Sequence, residues 1–157
     1  MTNQQLFIRK AIKLSLENVQ TGKGGPFAAL IVKDNNIIAS GTNLVTSLND
    51  PTAHAEIIAI REACKILGTF QLEGCEMYSS CEPCPMCLGA IYWARLSKIF
   101  IASIIQDAAE AGFDDLLIYS EFSKQIHERK IPMTLMPQNE ALAAFKEWKE
   151  KRDKIRY

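Results

Sequence analysis

The sequence predicts an α/β protein, a three-layer α/β/α sandwich in which helices cover both faces of a mixed central sheet. Strand-like and helical stretches alternate along the chain. Residues 77–103 also give strand, helix and strand in succession, a βαβ unit that usually produces parallel strands with a right-handed crossover. The 157 residues contain no repeat and no low-complexity linker, so we expect residues 1–157 to form a single domain.

The first part of the chain predicts a helix followed by a β-hairpin. Residues 3–20 carry apolar side chains at helical spacing on one broad face: Leu6, Ile8, Ile12, Leu16 and Val19. The glycine-rich cluster Thr21–Pro26 ends this helix. Strands are predicted at Phe27–Val32 and Ile37–Ser40, and the Asp and Asn residues between them favour a tight turn.

The rest of the chain predicts three helices and two strands. A helix is expected from about Ala53 to Leu67, with Thr52 as its N-cap and Gly68 at its end. The remaining predicted elements are a strand at Met77–Ser80, a helix at Pro85–Ala94, a strand at Ile99–Ser103 and a final helix from Glu140 to about Lys151.

Composition and charge narrow the classes of function. Lys and Arg number 18, as do Asp and Glu, so the formal net charge is zero and lacks the basic excess of dedicated nucleic-acid binders. We read no signal peptide and no membrane-spanning stretch in the sequence. The cysteines number five, and Cys81, Cys84 and Cys87 crowd together. This pattern favours a metal or catalytic site in the reducing cytoplasm over a disulfide framework.

The most informative pattern is His54-Ala55-Glu56, followed further along by Pro83-Cys84-Pro85-Met86-Cys87. Zinc favours imidazole and thiolate ligands, and a catalytic zinc keeps three protein ligands and one open position. We therefore expect His54, Cys84 and Cys87 to hold one zinc ion. Proline suits the first position of a helix, which makes Cys84 the N-cap and Cys87 the third helical residue. There the helix dipole favours thiolates.

Glu56 is the expected proton carrier of this site. Zinc lowers the pKa of a bound water to about 7, so a nearby carboxylate can take its proton and pass it on. However, side chains two positions apart on a regular helix point roughly 200° away from each other. His54 and Glu56 can share one site only if the pocket meets the first turn of the helix end-on.

The cysteines also allow alternatives to an open site. Cys81 could join His54, Cys84 and Cys87 in a closed structural zinc site, and an iron–sulfur cluster is a weaker option because no fourth nearby cysteine follows. Because Cys81 ends a strand before the helix cap, we expect it to point away and pack as a small hydrophobe. We expect Cys64 and Cys75 to be structural.

The two motifs match the H-x-E and P-C-x-x-C signature of zinc-dependent nucleobase deaminases at every specified position. Over roughly residues 25–115 the chain resembles the cytidine deaminase-like superfamily. The resemblance implies the three-layer fold of that superfamily and hydrolytic release of ammonia from a base, with Glu56 shuttling protons. It also implies that the backbone N–H of Ala55 contacts the carbonyl of the substrate.

Finer segments resemble bacterial guanine deaminases most closely between about residues 22 and 119. These segments are Asn49–Glu56, Ser80–Arg95 and Ala109–Asp115. The resemblance implies that zinc-activated water converts guanine to xanthine and ammonia, with one zinc per subunit of a homodimer. It also implies roles for Asn43 (hydrogen bonding to the purine), Phe27 and Trp93 (pocket walls), Asp115 (guanine contact and proton transfer), and Tyr157 (closing the site from a C-terminal segment exchanged between subunits).

Two classes of alternative stay open at this stage. A tRNA adenosine deaminase shares both motifs, and the basic stretch Lys146–Arg156 would suit an RNA; guanosine and cytosine deaminases are further variants. A zinc-stabilised binding module without catalysis is the alternative from another class. It predicts that chelation unfolds the domain and that Glu56→Gln changes nothing measurable.

Overall fold

The computed structural model describes all residues from Met1 to Tyr157, which form two compact units, Met1–Leu116 and Leu117–Tyr157. The first unit contains α1 (Asn3–Gln20), β1 (Ala28–Lys33), β2 (Asn36–Thr42), α2 (Val45–Leu48), α3 (Ala55–Leu67), β3 (Cys75–Ser79), α4 (Pro85–Trp93), β4 (Lys98–Ile101) and α5 (Ile105–Glu110). Helix α6 (Asp115–Phe122) begins there and continues into the second unit, which also holds a 3₁₀ turn (Asn139–Leu142) and α7 (Ala143–Glu150).

The sheet has four strands in the order β2-β1-β3-β4. Strand β1 pairs antiparallel with β2 and with β3, whereas β3 and β4 run parallel. The predicted βαβ unit is therefore confirmed as β3-α4-β4. The predicted hairpin is β1-β2, whose turn residues Asp34 and Asn35 have φ of 49° and 60°. Two successive positive φ values are the pattern of a type I′ turn, which matches the twist of the paired strands.

Alternate residues of the central strands feed two separate cores. Ala29, Ile31 and Met77 are buried on one face with alanines of α3 and with Ile91 of α4. Leu30, Val32 and Tyr78 are buried on the other face with Ala11 of α1. Successive side chains of a strand point to opposite faces, so this alternation places helices on both sides of the sheet. The predicted α/β/α sandwich with a mixed sheet is confirmed.

Helix α3 lies unusually close to β2 because Gly41 has no side chain. A Cβ atom at Gly41 would come within 2.2 Å of the backbone oxygen of Ala55 and 2.6 Å of the backbone nitrogen of Ala59. This close approach fixes the first turn of α3, which carries the His54-Ala55-Glu56 motif, against the sheet.

The start of α3 corrects one prediction. The helix begins at Ala55, and its N-cap is His54, which has extended backbone angles. The predicted N-cap, Thr52, instead closes a turn: its backbone N–H and hydroxyl both donate to Oδ1 of Asp50, at 2.8 and 2.7 Å. The side chain of Asp50 thus holds residues 50–52 outside the helix.

No helix of the chain is both long enough and apolar enough to cross a membrane.

Candidate active site

Three potential metal ligands meet where α3 and α4 begin. Nδ1 of His54 lies 3.5 Å from Sγ of Cys84 and 3.5 Å from Sγ of Cys87. The three ligand atoms all lie within 4.8 Å of one another. Cys84 is the N-cap of α4 with Pro85 at its first position, as the sequence predicts, whereas His54 takes the N-cap position of α3 that was predicted for Thr52. Two helix N-termini therefore meet at one group.

The spacing of these atoms fits a tetrahedral zinc ion. A nitrogen at about 2.0 Å and a sulfur at about 2.3 Å from the metal lie about 3.5 Å apart in a tetrahedral site. Both nitrogen–sulfur distances in the protein are 3.5 Å. One imidazole nitrogen facing two sulfurs is also the donor set that zinc prefers. The group is positioned to hold one metal ion through His54, Cys84 and Cys87.

The three ligand side chains shift one another's pKa values. The interaction with Cys87, aided by His54, lowers the pKa of Cys84 to about 4, and the same interaction raises the pKa of Cys87. The hydrogen bond to Cys84 raises the pKa of His54. The side chains of Cys87 and His54 thus favour a thiolate at Cys84, and the thiolate is the form of cysteine that binds metal.

Cys81 stays outside this group. Its Sγ lies 3.6 Å from the backbone oxygen of Ile104, toward which it donates. With Cys81 turned away, the protein supplies three ligands, and three is the number that leaves a position open for a substrate or water. The structure therefore favours the open site over the closed zinc site that includes Cys81.

The position of His54 explains how it and Glu56, two residues apart, can face the same site. Because His54 is the N-cap with extended backbone angles, it lies outside the helix, and Glu56 is the second helical residue. The two side chains therefore avoid the roughly 200° separation that a regular helix would impose on them. Both side chains line the same cavity, which meets α3 at its N-terminal end.

Glu56 is almost fully buried beside the cysteines. Sγ of Cys87 donates to its Oε2 across 3.4 Å. Burial raises the pKa of the Glu56 carboxyl, and the nearby charge of Cys84 raises it further. A carboxyl that can hold a proton next to a metal group is what a proton carrier requires.

A cavity of about 450 Å³ opens beside the metal group. This volume lies in the range of small-molecule sites. The first unit alone supplies its lining: Gly22, Gly24, Gly25, Phe27, Asn43, Val45, Thr46, His54, Glu56, Glu82, Cys84, Phe113 and Asp115. Four residues predicted to act in the site, Phe27, Asn43, Glu56 and Asp115, thus lie around one cavity.

Asn43 and Asp115 supply polar groups to the cavity wall. The backbone N–H groups of Gly25 and Val45 both donate to Oδ1 of Asn43, at 3.4 and 3.3 Å. Since its oxygen accepts twice from the backbone, the amide NH₂ of Asn43 is the end left for a ligand. Burial raises the pKa of Asp115, and the charge of Cys84 raises it further.

The aromatic wall contains a residue that sequence reasoning missed. Phe113 packs edge-on against Phe27 with ring centroids 4.7 Å apart, and both rings line the cavity. An apolar aromatic surface is what a planar base requires. Phe113 lies in the segment Ala109–Asp115, which resembles bacterial guanine deaminases. Its contact with Phe27 is visible only in the folded structure.

Three residues predicted to contact the substrate are not part of the cavity lining. Trp93 lies at the end of α4, is 67% exposed and does not line the cavity. Tyr157 belongs to the second unit, where its ring lies edge-on to Trp148 at 6.5 Å. Ala55 is buried as the first residue of α3, so its N–H has no acceptor within the helix. The roles suggested for these residues stay predictions.

Comparison with known proteins agrees with this geometry. Residues 1–103 match the family model described as the cytidine and deoxycytidylate deaminase zinc-binding region. This match covers well over half of the chain and includes His54, Glu56, Cys84 and Cys87. The protein therefore belongs to the family of zinc-dependent cytidine and deoxycytidylate deaminases.

Within that class, the chain is similar along its whole length to the guanine deaminase of Bacillus subtilis. The two are 54% identical, with 99% of each chain covered. The crystal structure of the Bacillus enzyme superposes with a TM-score of 0.95 over 98% of each chain. A tRNA-specific adenosine deaminase of Aquifex aeolicus is 41% identical over 64% of this chain and 66% of its own.

Proposed function

We propose that this protein hydrolyses guanine to xanthine and ammonia. The observation that carries the proposal is one cavity lined by Glu56, Asp115 and Asn43 together with His54 and Cys84 of the metal group. The full-length similarity to a guanine deaminase, at 54% identity, selects the base. Nucleobase deaminases bury the flat base against apolar walls and recognise its edge through hydrogen bonds to a few polar groups.

Zinc, when bound, is a Lewis acid that lowers the pKa of water and so supplies a nucleophile at neutral pH. Glu56 takes a proton from the attacking water and delivers it to the base. Its Oε2 lies 3.4 Å from Sγ of Cys87, so the carboxylate is held beside the metal ligands. Two helix N-termini favour negative charge at this point of the molecule.

The cavity walls orient the base. Phe27 and Phe113 supply apolar ring surface, and the NH₂ of Asn43 donates to an acceptor of the purine. Asp115 supplies an acceptor for the N–H donors of guanine and assists proton transfer to the departing amino group. The N–H of Ala55, free at the start of α3, donates to the carbonyl of the base.

A tRNA adenosine deaminase is the second candidate, and the comparisons favour it less. The tRNA-specific adenosine deaminase of Aquifex aeolicus is 41% identical over 64% of this chain, whereas the guanine deaminase is 54% identical over 99%. The net charge is zero. A protein that binds an RNA stem-loop uses a basic surface to replace counterions.

Product analysis on the zinc-loaded protein tests the proposal. Guanine, guanosine, adenine, cytosine and an adenosine-containing anticodon stem-loop are offered in parallel, and ammonia and base products are quantified. We expect xanthine from guanine and little turnover of the others. Inosine in the stem-loop without xanthine would contradict the substrate and leave the zinc chemistry standing. No turnover of any compound would support a non-catalytic zinc-binding module.

We further propose that the protein works as a homodimer in which residues 117–157 complete the single deaminase domain of a second copy. None of these residues is buried, although many are large and apolar. Ile131 and Leu135, for example, are 81% and 85% exposed. Exposed apolar surface of this extent is typical of protein interfaces. In this arrangement Tyr157 closes the partner's cavity and Trp93 borders it.

Analytical ultracentrifugation tests the dimer, which we expect at micromolar concentration with twice the chain mass. A monomer that retains full guanine turnover would contradict it.

We also propose that the protein acts in the cytoplasm, because all five cysteines are free thiols and a reducing compartment preserves them.

A further inference from the structure

The C-terminal end of α1 leads directly into the wall of the cavity. The N–H of Gly22 donates to the oxygen of Val19 and that of Lys23 to the oxygen of Asn18, at 3.0 and 3.1 Å. With Gly22 at a φ of 68°, these two bonds form a Schellman motif. The chain therefore reverses at Gly22 and continues into Gly24 and Gly25, both of which line the cavity.

The side chain of Asn18 ties two parts of that wall together. Its Nδ2 donates to the backbone oxygen of Asn43 across 2.8 Å and to that of Gly25 across 2.9 Å. Asn18 is only 3% exposed. One buried amide thus connects the loop after α1 to the loop after β2, and each loop contributes to the same cavity.

Asn18 carries a cost that its two donated hydrogen bonds must offset. Its Oδ1 is buried and has no hydrogen-bond partner. An unsatisfied buried polar atom destabilises the folded state. An aliphatic side chain of similar size would avoid this cost, so the position depends on the donors of the amide and not on its acceptor.

The same junction is tight at Gly24. A Cβ atom on Gly24 would come within 2.0 Å of the backbone oxygen of Asn43 and 3.2 Å of Nδ2 of Asn18. The backbone of Asn43 is therefore fixed from two sides, by a hydrogen bond from Asn18 and by close contact with Gly24. Since Gly25 N–H also donates to Oδ1 of Asn43, the orientation of the Asn43 amide depends on the same loop.

We propose that Asn18 is a positioning residue for the purine site, which acts by holding Asn43 and Gly25 so that the Asn43 amide faces the base. Asn18 does not line the cavity and touches no ligand of the metal group. The inference rests on the proposed guanine deamination. It assigns to α1, on the opposite face of the sheet from the metal ligands, a role in how tightly the base is bound.

The variant Asn18→Asp tests the proposal, because it keeps the shape of the side chain and replaces the donor NH₂ with an acceptor oxygen. We expect the KM for guanine to rise about tenfold, as for the loss of one well-placed hydrogen bond. We expect kcat to change less than threefold and the zinc content to stay the same. A merely structural role would lower kcat through a smaller active fraction and leave the KM unchanged, and that result would overturn the proposal.

Ser15→Ala is the matched control. Ser15 is also buried on α1, and its hydroxyl donates only to Ile12 of the same helix, at 2.8 Å. We expect this variant to retain the KM of the unmodified protein. An equal rise in KM for both variants would show that general loosening of α1 is responsible, and would overturn the specific role of Asn18.

Coupling to Asn43 provides a second readout. If Asn18 acts through Asn43, Asn18→Asp should raise the KM less than twofold when it is added to Asn43→Ala. Independent, multiplicative effects of the two changes would overturn the proposal. Should Asn18→Asp fail to fold, Gly24→Ala perturbs the same backbone oxygen without adding a buried charge. The same selective rise in KM is expected there, and an unchanged KM would overturn the proposal.

Guanine turnover by the unmodified protein tests the proposed function, and the comparison of variants tests the role of Asn18. If the unmodified protein makes no xanthine from guanine, the proposed function fails before any variant is compared. If it makes xanthine and the variants bind guanine as the unmodified protein does, only the role of Asn18 fails.

Discussion

Residues 1–116 and residues 117–157 use apolar side chains in opposite ways. The first unit buries two clusters of apolar side chains, one on each face of the sheet, and contains the whole lining of the cavity. The second unit buries none, although it includes Phe122, Leu135, Phe145 and Trp148. Apolar side chains stabilise a fold only when they leave water. The first unit thus holds the chemistry, whereas the second has the character of a segment adapted to another surface.

The largest expected effect concerns the chemistry of the first unit. Replacing Glu56 with Gln removes the proton carrier, and general acid–base catalysis usually contributes about 10²–10⁴-fold. We expect kcat for guanine to fall within that range while zinc content and thermal stability persist. Steady-state kinetics and metal analysis measure these quantities.

Glu62→Gln is the control on the same helix. Glu62 is exposed and lies 4.0 Å from Lys65, remote from the cavity lining. We expect this variant to keep full activity. Full turnover by Glu56→Gln would show that the proposed mechanism is wrong.

The next largest effect concerns the second unit. Leu135→Glu places a charge on a side chain that is now 85% exposed. If residues 117–157 dock on a second copy, this change should weaken dimerisation at least 30-fold, since central apolar contacts of an interface contribute about 2 kcal/mol or more. Sedimentation velocity over a dilution series measures it. An unchanged dimer would mean that Leu135 lies outside any interface.

A smaller effect, on stability alone, probes the tight packing of the first unit. Gly41→Ala adds a Cβ that would lie 2.2 Å from the oxygen of Ala55. Overpacking of this kind costs about 1–3 kcal/mol, so urea unfolding should show a lower free energy of unfolding. Gly89 of α4 has no atom within 4 Å of an added Cβ. Gly89→Ala should therefore stabilise the helix, by up to about 1 kcal/mol.

The smallest effect is expected at the surface of α1. Lys13 and Glu17 form an exposed pair at 3.6 Å, one helical turn apart. Such pairs contribute about 0.3–0.5 kcal/mol. Glu17→Gln should therefore change the free energy of unfolding by less than Gly41→Ala does. A larger loss would show that the end of α1, close to Asn18, is more sensitive than its exposure indicates.

Local chemistry explains which parts of the structure the sequence predicts well. Pro85 fixes the start of α4, so Cys84 is its N-cap and Cys87 its third residue, as predicted. The turn at Asp34 and Asn35 specifies the hairpin, because Asp and Asn tolerate the positive φ that this turn requires. Helix α3 begins at Ala55 and not near Ala53, since Asp50 captures the N–H of Thr52 in a turn.

Features that depend on distant residues could not be predicted. Phe113 meets Phe27 only after the sheet and α5 have formed. Asn18 looks like an ordinary polar residue near the end of an amphipathic helix, and its partners Gly25 and Asn43 lie in two later loops. Metal ligands can be predicted because they occur in short motifs of fixed spacing. A residue that positions another residue belongs to no such motif, so its sequence context does not reveal it.

Zinc removal and restoration, followed by xanthine release from guanine, show whether turnover depends on a metal held by His54, Cys84 and Cys87. The spacing of 3.5 Å from His54 Nδ1 to both cysteine sulfurs predicts one zinc per chain. We expect chelation to abolish xanthine formation, one equivalent of zinc to restore it, and Glu56→Gln to bind the same zinc without recovering turnover. Xanthine formation that persists at full rate after the metal has been removed would contradict the account.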